Sequence, residues 1–79
     1  MRKHGVDFLD AIGAVLDPDR IEDEDTRFVY DEQRTQIIGM AARGILFVVV
    51  AYREFDTCRI ISARKASRHE QDRYYSHHR

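Results

Sequence analysis

The sequence is poor in the residues that interrupt or cross-link a chain. It has one cysteine, one proline, four glycines and no tryptophan in 79 residues. A lone Cys58 cannot form an internal disulfide, which excludes the stapled scaffolds of small secreted proteins and fits a reducing cytoplasm. Cys58 falls in an apolar, strand-like stretch, so a buried or half-buried thiol is expected rather than a nucleophile. No apolar run approaches the length of a membrane span, and the N-terminus lacks a signal-peptide pattern. Internal repeats, low-complexity tracts, glycine-rich phosphate loops, nucleophile elbows and zinc-protease motifs are absent. His77 and His78 are adjacent, and His69 with Asp72 supplies two ligands at most, so neither a metal nor any other cofactor is expected.

What is present is a single domain, residues 1–79, of ordinary globular composition. A chain this short buries little core, which makes a partner chain a physical expectation. Net charge is −1, unlike a strong nucleic-acid binder, but the charges are segregated. Residues 17–32 are dominated by Asp17, Asp19, Glu22, Asp23, Glu24, Asp25, Asp31 and Glu32. Residues 53–79 carry Arg53, Arg59, Arg64, Lys65, Arg68, Arg73 and Arg79. Such polarity concerns partners rather than fold.

The pattern predicts an α+β fold, a small antiparallel sheet of three to four strands flanked by an N-terminal and a C-terminal helix. Asp7 is a candidate cap for a first helix whose apolar face is Leu9, Ile12, Val15 and Leu16, stopped by Pro18. Nothing before Gly5 carries a structural signal. The acidic stretch 19–25 reads as a solvated loop with at most a short edge strand, with Phe28 and Tyr30 docking it on the core. Residues 35–40, 45–52 and 57–63 read as strands of a meander, and the two-sided apolar run Ile45-Leu46-Phe47-Val48-Val49-Val50 as its central strand, covered on both faces. Ser67 followed by Glu70 is a capping box opening a last helix from about Arg68 to the histidines.

The chemistry offered is cationic. Arg64 and Lys65 stand between a strand and a helix N-terminus, a favourable place for a phosphate. Antiparallel pairing gathers Arg34, Arg53 and Arg59 at one sheet end and leaves Arg64 about a strand length away. Guanidinium groups suit a phosphodiester and the charge that grows on it during displacement. Histidine is the side chain suited to moving protons near neutral pH, which makes His4 the acid–base candidate. Tyr74 and Tyr75 are candidates for base stacking or for helix–sheet packing.

K-H-G-V-D-F at 3–8, L-D-P at 16–18, I-G at 38–39 and above all R-I-I-S-A-R-K-A at 59–66, with Glu70 and Tyr74 trailing, resemble the BrnT-type toxins of bacterial type II toxin–antitoxin pairs. That resemblance covers nearly the whole chain. It implies a RelE-like fold and a metal-independent ribonuclease that arrests translation in the cytoplasm. It also implies a cognate BrnA-type, ribbon-helix-helix antitoxin through which operator DNA is bound indirectly. Carried onto this chain, the functional positions are His4, Arg34, Arg53, Arg64 and Lys65, with Arg53 and Arg64 on the phosphate, Lys65 assisting and His4 moving protons. The family pattern usually begins with a strand bearing a Trp-Asp motif, which this sequence lacks. A sheet one strand short, with an open edge available for a homo-oligomer, is therefore expected. The competing expectation is a non-catalytic toxin-like module that only binds an antitoxin or another protein.

Overall fold

A computed structural model describes residues 2–3, 6–29, 32–52 and 58–77, with backbone alone at 2–3, 25–29 and 32. The elements are β1 (Arg2–Lys3), β2 (Val6–Asp7), α1 (Phe8–Leu16), β3 (Ile21–Val29), β4 (Glu32–Ala41), β5 (Gly44–Tyr52), β6 (Cys58–Lys65) and α2 (Arg68–His77). Strands β3-β4-β5-β6 form one antiparallel sheet in chain order, and β1 pairs with β2 in a two-residue ladder beside it. The architecture is the α+β meander with a helix at each end that the pattern predicts.

Three local expectations change. The acidic stretch is part of β3, a nine-residue strand paired with β4 from Ile21↔Ile38 to Asp25↔Arg34. Tertiary pairing overrides the poor strand propensity of Asp and Glu. As a terminal strand, β3 carries its charges where they discourage further pairing. Arg2–Lys3 and Val6–Asp7 are paired strands, although nothing before Gly5 signals structure. Cys58 is exposed, because it opens β6 at the sheet's end rather than lying in its middle. Phe28 and Tyr30 as docking aromatics lie outside the residues whose side chains are described.

Alternation of side chains sorts the sheet into two faces. On the first, α1 packs over Ile37, Leu46, Val48, Val50 and Ala63, contributing Ala11 and Ala14. The helix thus buries its alanines, while Leu9 and Leu16 stay 72% and 70% exposed. The physical reason is closeness. A Cβ on Gly39 would lie 2.9 Å from the carbonyl carbon of Ala14 and still nearer its oxygen, so helix backbone rests almost directly on strand backbone. Small residues permit this; leucines at the contact would hold the helix off. On the second face, Ile21, Ile38, Ile45, Ala66 and Tyr74 join α2 to the sheet. Ile37, Ile38, Val48 and Val50 are the largest fully buried side chains, each contributing about 2 kcal/mol by apolar burial. β5 is central, but its two faces differ. Val48 and Val50 are fully buried under α1, whereas Phe47 and Val49 on the α2 side are only half-buried.

The ends of α1 follow the sequence signals. Asp7 Oδ1 accepts the Leu9 N–H at 3.4 Å, and the helix stops at Leu16, before Pro18. Asp17 then becomes a junction. Its carboxylate accepts the Met40 N–H at 2.7 Å, the Asp19 N–H at 2.9 Å and the Tyr74 hydroxyl at 2.5 Å. One side chain thereby ties the end of α1 to β4 and to α2. Burial, reinforced by the Asp17 carboxylate, pushes the Tyr74 phenol well above its ordinary pKa.

Candidate functional site

Strand register places the candidate cations. Arg34, Ala51 and Arg59 lie in one transverse row across β4, β5 and β6. Ile38, Phe47 and Arg64 lie in a second row on the same face, four residues further along β5. Between them runs the row Gln36, Val49 and Ser62. All belong to the α2 side of the sheet, and α2 covers only the Ile21–Ile38–Ile45 corner of it. A bulge in β6, with Ile61 as the extra residue between Ser62 and Ile60, brings Arg59 back into register with Ala51. Of the three arginines expected at one sheet end, Arg34 and Arg59 are there, on either side of Ala51, Arg53 lies outside the described residues, and Arg64 is displaced along the strand as the register count requires.

The three described candidates have different surroundings. Arg34 is half-buried, and its Nε has no hydrogen-bond partner among the described residues although the atom is out of contact with solvent. A buried guanidinium N–H left unsatisfied costs on the order of 1–3 kcal/mol. Arg64 is engaged. Its Nη1 and Nη2 each donate to Glu70 at 2.9 Å, Nη1 also donates to the Lys65 carbonyl at 3.1 Å, and its guanidinium carbon lies 4.2 Å from the centroid of the Phe47 ring. Lys65 is exposed and pairs with Leu46, on the α1 side of the sheet. Consecutive strand residues point to opposite faces, so Arg64 and Lys65 do not converge. His4 and Arg53 lie outside the described residues.

Glu70 also changes the meaning of the α2 N-terminus. The capping box is formed: Glu70 accepts the Ser67 N–H at 2.8 Å, and the Ser67 hydroxyl accepts the Glu70 N–H at 3.2 Å. Hydrogen bonds from Arg64, and then from Ser67, hold the Glu70 carboxyl below its usual range despite the cost of burial, and the same pair holds Arg64 more firmly charged. The anion at this helix end is therefore Glu70 itself. The strand-to-helix junction, attractive for a phosphate in sequence, is already neutralised.

On the opposite face, an apolar groove of about 510 Å³ lies between α1 and β6, lined by Phe8, Ile12, Val15, Leu16, Cys58 and Ile60, with Arg59 at its edge. Among the described residues, no three His, Cys, Asp or Glu side chains converge as a metal site requires. None of the described helices is long and apolar enough to cross a membrane.

A four-stranded meander with a helix at either end, carrying arginines in register on one sheet face, defines a small α+β protein. Its family is specific: the chain belongs to the ribonuclease toxins, BrnT, of type II toxin–antitoxin systems, whose family model matches residues 1–70. No curated protein and no solved structure matches the chain. Membership makes the class of activity that of a ribonuclease toxin and implies an antitoxin as partner.

Proposed function

We propose that the chain cleaves RNA without a metal ion, thereby arresting translation in the cytoplasm, and that Arg34 is its phosphate anchor. The observation that carries this reading is the Nε of Arg34 on the α2 side of the sheet, buried and without a hydrogen-bond partner among the described residues. On binding, the Arg34 side chain turns outward so that its fork meets a phosphate oxygen, and Arg59 in the same row, two strands and about 10 Å away, lies within reach of the same backbone.

The reaction is an internal displacement. A base removes the ribose 2′-OH proton and the 2′-oxygen bonds to phosphorus. The bond to the 5′-oxygen then breaks and an acid protonates that oxygen, leaving a 2′,3′-cyclic phosphate and a 5′-hydroxyl. Cations stabilise the charge on the equatorial oxygens, so a metal is not required for the step. Arg34 and Arg59 supply that charge in this proposal. His4 as proton carrier and Arg53 as a further cation rest on the sequence alone. Lys65 has no part, because it is on the other face, and Arg64 does not clamp the scissile phosphate, because Glu70 neutralises it.

Control falls to a BrnA-type antitoxin of ribbon-helix-helix class, which carries any contact with operator DNA. Self-association through an open sheet edge is a subsidiary expectation. The test is cleavage of purified single-stranded RNA with EDTA present. The wild type yields cyclic phosphate ends, and Arg34→Gln lowers the rate by about 100-fold, as for loss of one donor to a developing oxyanion. Absence of product, or an Arg34→Gln variant as fast as wild type, overturns the reading. The Arg64–Glu70 pair favours the second reading, a non-catalytic module, which predicts antitoxin binding with no RNA product at any enzyme concentration.

A further inference from the structure

Arg64 shares the sheet face of Arg34 but differs from it electrostatically. Glu70 takes both Nη atoms of its fork at 2.9 Å, and the Lys65 carbonyl takes a further N–H of Nη1. The pair is close to neutral and places a carboxylate where a phosphate would be repelled. What remains is a surface. The guanidinium is a plane, and its carbon sits over the Phe47 ring, 4.2 Å from the centroid, so the ring lies against one side of that carbon. The side chain is nevertheless 40% exposed. Three hydrogen bonds hold the guanidinium in place, and Phe47 backs it. Nucleic acid bases stack on such guanidinium planes, and they do so from single strands, since paired bases are already stacked on each other.

We infer that Arg64, backed by Phe47 and held by Glu70, is a base-stacking platform that receives one unpaired base of the RNA. This rests on the reading of the same sheet face as the RNA site. The platform lies about 10 Å across the sheet and about 13 Å along it from Arg34, a separation of a few nucleotides rather than one. The substrate class is therefore single-stranded RNA, cut at the phosphate on Arg34 and selected by a base some nucleotides away. Glu70 is a positioning residue: it fixes the orientation of the guanidinium and keeps phosphates off it.

The experiment uses the full chain and fluorescent single-stranded RNAs of one sequence, 2′-O-methylated so that they cannot be cut, each with an abasic site at a different position. Wild type is expected to lose roughly tenfold in affinity at one position and little at the others. Arg64→Lys keeps the charge and loses the plane. It should bind intact RNA roughly tenfold more weakly and become indifferent to the abasic site at that position. The same ratio of intact to abasic affinities as wild type at every position overturns the inference. Should thermal melting show Arg64→Lys to be unfolded, Glu70→Gln must reduce the ratio at the same position, and an unchanged ratio again refutes the platform. Failure of the nuclease reading is seen separately. RNA bound with the platform's base dependence but never cut, when unmodified, sinks the catalytic proposal alone. Cleavage that depends on Arg34 with no base dependence at Arg64 sinks the platform alone.

Discussion

Adding one methyl group at Gly39 and the same methyl at Gly13 should move stability in opposite directions. At Gly39 the new Cβ meets the backbone of Ala14, 2.9 Å from its carbonyl carbon and 3.1 Å from its Cα. Backbone cannot rotate aside as a side chain can, so α1 must lift by about 1 Å or tilt, loosening Ala11 and Ala14 from the sheet and lengthening the Met40-to-Asp17 hydrogen bond. Overpacking of this kind costs about 3 kcal/mol, the upper part of its usual range. At 4–8 °C per kcal/mol for domains of this size, the melting temperature should fall by about 12–24 °C. At Gly13 the new Cβ would meet only the Cβ of Ala41, at 3.8 Å, an ordinary contact on an exposed helical position. Removing glycine from a helix interior is worth about 0.5–1 kcal/mol in stability. Urea titration reads both: the midpoint falls for Gly39→Ala and rises slightly for Gly13→Ala, with unchanged slopes. A Gly39→Ala protein as stable as wild type would refute the close helix–sheet approach and the placement of α1 with it.

Arg34→Met should gain about 1 kcal/mol in stability while losing cleavage, since it removes a buried unsatisfied donor and keeps an apolar stem; equal stability with full activity would contradict both halves. Tyr74→Phe deletes the donor to the Asp17 carboxylate and should cost about 1.5–3 kcal/mol, read as a lower urea midpoint, with α2 exchanging its amide hydrogens faster than α1. Because the Glu70 carboxyl is held below its ordinary pKa of 4.5, the stability it contributes is present above that pH and is lost as pH falls through the lowered value. Glu70→Gln should therefore flatten the acid limb of the stability profile below about pH 4.5. The difference should be less than about 1 kcal/mol, since the pair is partly exposed and screened.

The meander was legible because β5 announces itself as an apolar run, and Gly44 at φ 125° marks the turn before it. The capping box at Ser67 and Glu70 and the stop at Pro18 were legible for the same reason: each satisfies backbone groups within a few residues. The family was legible from the segment 59–66, and the match over residues 1–70 agrees with it. The acidic strand β3 was not, because its partner β4 supplies the hydrogen bonds that its own side chains do not favour. Nor was Asp17 as a junction, since its partners are Met40 and Tyr74, 23 and 57 positions away. The L-D-P signal marked the position without saying what it held.

For the candidate site, chain order put Arg34 and Arg59 at the same end of the sheet, but the bulge at Ile61, which sets the face of Arg59 and its row with Arg34, is a feature of the folded sheet. The fate of Arg64 was decided in three dimensions. Glu70 was readable as a cap, but that its second oxygen completes a fork on Arg64, with Phe47 beneath, depends on how α2 folds back over the sheet. Local hydrogen-bonding needs are written in neighbouring residues. Which charges neutralise each other, and which donor is left without an acceptor among the described residues, depends on distances that only the packed chain sets.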